Sequence, residues 1–294
     1  MTNTEKGLFR MPSQSALYPQ RSDLLRMLEA DNTFSEYIDC VIAREQESLD
    51  RFFGTSIDVG EFKKTLSEYS REQFLVWEQL GLVPHYLPSM RCDKDANIPG
   101  WKTRPNDFFW DEAESDQILT TIQGRLLPDI TCYSLNATTV LVDGRGKPDS
   151  DPPIMGGQQM FEKDNLLGPL LDQLRRDGRL AAYRYGDQSS RFGVCRREWE
   201  EIVKPALSQQ LGITIEQLRL ERAIEANMIP QIYDDLPRVH DGSTDTAVLY
   251  EEYVDDSERC LVGGAAREGG LSHVQAIHKN SAWRTFAIRP IIKL

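Results

Sequence analysis

Nothing in this 294-residue chain approaches the ~20 consecutive apolar residues of a membrane-spanning helix. The first twenty residues also lack the apolar core of a secretion signal, carrying Glu5, Lys6 and Arg10 instead. Cysteine is sparse: Cys40, Cys92, Cys132, Cys195 and Cys260 are dispersed, odd in number and never form a CxxC pair. That spacing fits reduced, mostly buried thiols and argues against a disulfide framework or a zinc site. These absences predict a soluble cytoplasmic protein, in which the sequon Asn136-Ala137-Thr138 would stay unmodified.

Several signatures of common chemistry are missing as well. Neither GxGxxG nor GxxxxGK[ST] occurs, which disfavours the familiar nucleotide-binding folds, and GxSxG and HExxH are absent too. Gly144-Arg145-Gly146-Lys147 follows a strand pattern, but Pro148, Pro152 and Pro153 come next, where a phosphate-binding loop needs a helix start. His85 and His240 stand near prolines in predicted loops. His273 and His278 are five apart in a strand pattern, on opposite faces and unsuited to one metal. The acidic pairs Asp149/Asp151, Asp234/Asp235 and Asp255/Asp256 lack calcium-loop spacing and read as turn formers.

Acidic residues dominate, with a formal charge of −12, so gripping nucleic acid is not expected to be the chain's main role. One local exception is the run Arg175, Arg176, Arg179, Arg184, Arg191, Arg196 and Arg197. It reads as helix surface paired with neighbouring carboxylates, the alternative being a basic face.

The first third has helical periodicity. Thr33-Phe34-Ser35-Glu36 has capping-box form, and apolar residues recur through Phe34, Tyr37, Ile38, Val41, Ile42, Leu49, Phe52 and Phe53 before Gly54. Asp58 to Glu61 opens a second predicted helix, and Ser70 to Gln73 caps another that ends at Gly81. Residues 83–112 are broken by Pro84, Pro88, Pro99 and Pro105, and aromatics crowd their end. Trp101, Phe108, Phe109 and Trp110 are candidate interface anchors there, or else a lid folded over the core.

Beyond lie a predicted helix over 114–127 and strands over 130–135 and 138–142. A long helix is predicted over 158–177, kinked at Pro169, then a strand over 180–185. Helices over 196–211 and 214–228 follow, the second with Thr214-Ile215-Glu216-Gln217 as its capping box. The last fifth reads as strands over 247–254, 259–262, 271–277 and 283–292. The fold class predicted is α+β: a helical N-terminal region (1–82), an irregular aromatic connector (83–112) and a mixed domain (113–294) with a β-rich C-terminal segment.

Leu207 to Ile213 followed by Leu218 resembles a helix-turn-helix, although Glu216, Glu221 and Glu225 outnumber Arg219 and Arg222 on the second helix. Pro128-Asp129 before one strand, with Asp143 ending the next and Lys147 after it, is similar to the PD-(D/E)xK nuclease pattern over about twenty residues. Arg145 stands where that family has lysine. The resemblance implies a phosphodiesterase with Asp129 and Asp143 holding Mg²⁺ and Lys147 stabilising developing charge. Without it, no cofactor or metal is expected. The function expected first is an interaction or assembly subunit with a protein partner or self-association; a metal-dependent nuclease is the alternative.

Overall fold

The computed structural model describes residues 21–30, 33–91, 97–101, 134–145, 160–161, 163–233, 247–255, 258–264 and 273–294. Its helical start forms α1 (Arg21–Glu29), α2 (Phe34–Phe53), α3 (Gly60–Leu66) and α4 (Arg71–Gln79). The long α2 stops where Gly54 takes a left-handed φ of 67° and its N–H reaches back to Asp50 O. At Ser70 the expected cap is present in part: Gln73 Oε1 accepts the Ser70 N–H at 2.8 Å. Thr33 departs from expectation. Its hydroxyl donates to Met27 O at 2.5 Å and Ala30 O at 3.2 Å, closing α1 instead of capping α2.

Two four-stranded sheets follow, together with a small ladder of β2 (Met90–Arg91) and β3 (Ser134–Leu135). The first sheet comprises β1 (Leu82–Leu87), β4 (Thr138–Asp143), β5 (Leu218–Leu220) and β10 (Pro290–Lys293), in the antiparallel order β1-β4-β10-β5. Strand β1 begins the stretch expected to be irregular. Pro84 is compatible with it because β1 is an edge strand, where a missing N–H leaves no ladder bond unmade. The second sheet has β6 (Ala247–Asp255), β7 (Arg259–Gly264), β8 (His273–His278) and β9 (Phe286–Ile288), ordered β8-β7-β6-β9, with β6 and β9 parallel. Arg289 lies between β9 and β10 and so carries the chain from one sheet to the other. Glu221 N–H donates to Arg289 O at 3.1 Å, and Glu251 N–H donates to Glu221 O at 3.0 Å, stitching the sheets together.

Both faces of the first sheet are buried. Val140, Val142 and Ile291 pack with Leu49, Phe52, Phe62 and Phe74 of the first helices. Leu141, Ile292, Leu218 and Leu220 pack with α5 (Gly168–Arg176) and α6 (Lys204–Leu211), around Leu171, Leu174 and Leu207. The alternation of β4 thus divides its side chains between two cores. The architecture is α+β, helical at the N-terminal side and strand-rich at the C-terminal side.

Three central elements differ from expectation, each for a local reason. The helix anticipated over 158–177 has its first regular turn at Gly168, after Asp164 Oδ1 accepts the Leu167 N–H at 3.0 Å and with Pro169 in the first turn. The strand anticipated over 180–185 is a loop: the Gln188 side chain accepts the Tyr183 N–H and donates to Tyr183 O, taking the place of a neighbouring strand. The helix anticipated over 214–228 is a 3₁₀ turn (Ile215–Gln217), strand β5 and then α7 (Ala223–Ile232), which continues through Pro230. That removes the second helix of the helix-turn-helix pattern. Pro205 is absorbed differently, by a π-helical turn at Trp199–Val203 that widens the backbone just before α6.

Candidate functional site

Of the nuclease-like residues, Asp129 and Lys147 lie outside the described residues, as do Phe108, Phe109 and Trp110. Asp143 is fully buried at the end of β4. Its Oδ2 lies 2.6 Å from Arg191 Nη2, its Oδ1 accepts from Arg145 Nε at 2.8 Å, and Arg145 Nη2 also donates to it. Asp164 completes the cluster, 2.5 Å from Arg191 Nε and 2.9 Å from Arg145 Nη2. Gly81 makes room for Arg145: it holds a φ of +74°, and a Cβ there would fall 2.5 Å from Arg145 Cδ. Burial opposes ionisation of Asp164, but the Arg191 and Arg145 charges and the Leu167 amide outweigh it and hold the carboxyl well below its usual range. Burial likewise opposes the Arg191 charge, and Asp164 and Asp143 more than restore it. The guanidiniums of Arg145, Arg191 and Arg289 also ring Phe161, at 5.3, 4.5 and 5.9 Å from its centroid. Asp143 is therefore engaged as the anion of a buried ion-pair cluster that ties β4 to two loops.

Trp101 packs inward, its ring 5.7 Å from that of Phe52 in edge contact. The Arg175–Arg197 run also departs from a solvated helix face. Arg175, Arg191 and Arg196 are buried. Arg175 donates to the carbonyls of Gln188, Ser190 and Phe192, and Arg196 to Tyr250 O and Glu200. Arg176, Arg179, Arg184 and Arg197 are exposed.

A second buried carboxylate group gathers at the start of α7. Glu252 accepts the Ala223 N–H at 3.1 Å, and Arg222 Nε stands 3.6 Å away. Glu225 pairs with Arg219 at 2.6 Å and also accepts the Arg222 N–H at 2.9 Å. Burial pushes the Glu252 carboxyl up to about 7, against the pull of Arg222 and the Ala223 amide.

The third constellation joins a carboxylate, an imidazole and a phenol. Glu45 sits on the apolar face of α2, 4 % exposed, among Tyr37, Leu49 and Phe52. His85 sits on β1, 5 % exposed, with Nδ1 3.0 Å from Glu45 Oε2. Glu45 Oε1 accepts the Tyr86 N–H at 2.5 Å and the Tyr233 hydroxyl at 2.5 Å, and that hydroxyl also lies 2.8 Å from Tyr86 O. The Tyr233 ring lies over the imidazole, 3.8 Å between centroids, and fixes its plane. A carboxylate facing Nδ1 selects the tautomer with hydrogen on Nδ1 and leaves the lone pair on Nε2. His85 Nε2 is buried with no hydrogen-bond partner. Glu45, His85 and Tyr233 line a cavity of about 80 Å³ whose other walls include Leu24, Val41, Arg44, Ser48 and Glu78.

His85 was read from sequence as a loop residue because prolines flank it, and the edge position of β1 is what makes it a strand residue. Glu45 carried a legible signal: it falls four residues from both Val41 and Leu49, inside the apolar stripe of α2. Tyr233 carried none. Among the described residues, no group of three or more His, Cys, Asp and Glu side chains is placed to hold a metal ion, and no helix is long and apolar enough to cross a membrane. No family model matches this chain, and comparison with curated proteins and with solved structures returns no match.

Proposed function

We propose that the chain is an enzyme of the acid–base class in which His85 Nε2 takes a proton from a small substrate bound between α1, α2 and β1. One observation carries this reading: a buried imidazole is oriented through Nδ1 by a buried carboxylate, and its other nitrogen has no partner. Burying such a nitrogen unpaired costs stability, which is rational where a substrate proton is its partner. Glu45 positions the ring and stabilises the imidazolium that forms. Tyr233 holds both groups in place.

The first test needs no substrate. Nitrogen-15 NMR of the full chain should show His85 protonated on Nδ1 and bare on Nε2. A proton found on Nε2 in the neutral form would sink the proposal. A panel of esters, amides and enolisable ketones smaller than benzene should then give a turnover that His85→Gln removes while the fold is retained.

A second reading, as an interaction subunit, rests on a different surface. Trp283 is 58 % exposed and Tyr185 44 % exposed, and the Arg284 guanidinium lies 5.7 Å from the Tyr185 ring centroid. Trp, Tyr and Arg are the side chains that most often anchor protein contacts. Of the aromatics expected from sequence to anchor an interface, Trp101 packs inward, and Phe108, Phe109 and Trp110 lie outside the described residues. A solution mass above the 33.6 kDa of one chain, lost in Trp283→Ser, supports self-association; a concentration-independent monomer refutes it. The free thiols Cys40, Cys195 and Cys260 support a reducing, cytoplasmic setting. The burial of Arg175, Arg191 and Arg196 supports a chain that does not grip nucleic acid.

A further inference from the structure

Strand β1 and helix α4 separate two cavities. His85 and Val83 border the smaller one, while Leu82 borders a larger one of about 300 Å³ on the other side, beneath α4. Trp77, Leu80, Leu141, Leu211, Ile213 and Ile292 supply most of the apolar wall of the larger cavity. Val76, half exposed, stands at its mouth. Protein interiors are packed closely enough that voids much larger than a water molecule are few. This space is a half-open cleft beside the β4–β10 core, with its apolar wall on the inner side.

From this cavity we infer a binding site for a neutral, largely apolar molecule of about ten to twelve non-hydrogen atoms, an alkylbenzene or a small terpene-like compound. The size follows from volume. An apolar cavity of about 150 Å³ accommodates benzene, and this one is about twice that. The polarity follows from the lining. The Gln73 amide oxygen is engaged by the Ser70 N–H, and the Gln217 side chain is engaged by the Thr214 N–H and Lys293 O. Gln217 is thus engaged through both its oxygen and its nitrogen, while exposed Gln73 keeps its NH2 for solvent. Water entering the apolar part would lack the two to four partners it needs, whereas hydrocarbon would lose nothing. Glu72 places an exposed carboxylate among the lining residues, which disfavours a ligand carboxylate over a neutral group.

The test uses the full-length protein with n-butylbenzene as probe and benzoate as anionic control. Butylbenzene near its solubility limit should raise Tm by roughly 2–4 °C and change the fluorescence of Trp77, and benzoate should do neither. Leu211→Phe with Ile213→Phe, at the half-buried end of α6, fills the space and should weaken binding at least tenfold. Trp77→Phe should abolish the fluorescence change but keep the thermal shift, which reports binding even if the filled variant folds poorly. His85→Gln should leave binding unchanged, so failure here is distinct from failure of the acid–base site. An absent butylbenzene response, an equal benzoate response, or binding that survives in a folded filled variant overturns the inference.

Discussion

Two buried polar clusters border the first sheet, and they end differently. Around Arg191 every charge meets its opposite: Asp143 and Asp164 hold Arg191 and Arg145, and the cations ring Phe161. Around His85, Glu45 is saturated by three donors, yet the chain of bonds stops at Nε2. Such a cluster of paired buried charges fixes geometry and is costly to break, although Arg191 Nη1 within it has no hydrogen-bond partner either. The His85 cluster gives up some stability and keeps a nitrogen in reserve. The lesson is that neither burial nor an unmade bond singles out a candidate site by itself; at His85 the unpartnered atom is also a proton acceptor whose residue borders a cavity.

The largest expected effect lies in the Arg191 cluster. Arg191→Met should cost about 3–5 kcal/mol in urea denaturation, because two buried carboxylates lose their shared cation. A loss below about 1 kcal/mol would show the cluster to be ornamental. In the His85 cluster, Glu45→Gln keeps an oxygen for Tyr86 and Tyr233 but turns a donor toward His85 Nδ1. The fold should survive with a loss of about 1–2 kcal/mol, and nitrogen-15 NMR should find the His85 tautomer inverted. An unchanged tautomer would break the contrast between the clusters.

Glu252 tests a third condition, a buried carboxylate that is only partly paired. Its folded pKa, raised to about 7 by burial, exceeds the unfolded value, so the native state binds the extra proton. Its stabilising contribution is complete below pH ~4.5 and is lost as pH rises through about 7. Glu252→Gln should therefore be more stable than wild type at pH 8, by on the order of 2 kcal/mol, and the difference should shrink toward pH 5. Asp164 works in the opposite sense. Its depressed folded pKa gives stability that is present above its unfolded value and lost as the solution becomes more acid. A wild-type protein equally stable at pH 5 and pH 8, with Glu252→Gln parallel to it, would show that Glu252 is not protonated in the fold. The smallest effect is expected at Arg176, paired with Asp172 on the outer face of α5 next to buried Arg175. Arg176→Ala should stay within about 0.5 kcal/mol of wild type, whereas Arg175→Ala, which abandons three loop carbonyls, should cost several times more.

Much of the fold was legible. The helix Phe34–Phe53, its glycine stop, the Ser70 start of α4 and the strand-rich end follow from periodicity and turn residues. The misread elements share a cause. Thr33, Asp164 and Gln188 spend their side chains on bonds fixed by a neighbouring element or turn, and no spacing rule announces such bonds. The candidate site was half legible: Glu45 interrupts an apolar helix stripe, but His85 was hidden by the prolines around it.

By itself, then, the sequence determined the class of each region, because amphipathic period and capping chemistry act within a few residues along the chain. Only the tertiary structure decided that β1 is an edge strand able to carry Pro84, and that α7 ends with Tyr233 beside it. It also decided that Glu45, His85 and Tyr233, up to 188 residues apart, meet in one hydrogen-bonded group. Contacts over such separations depend on how whole elements pack, and packing is set by the joint burial of both faces of the first sheet. No local pattern in the chain encodes that.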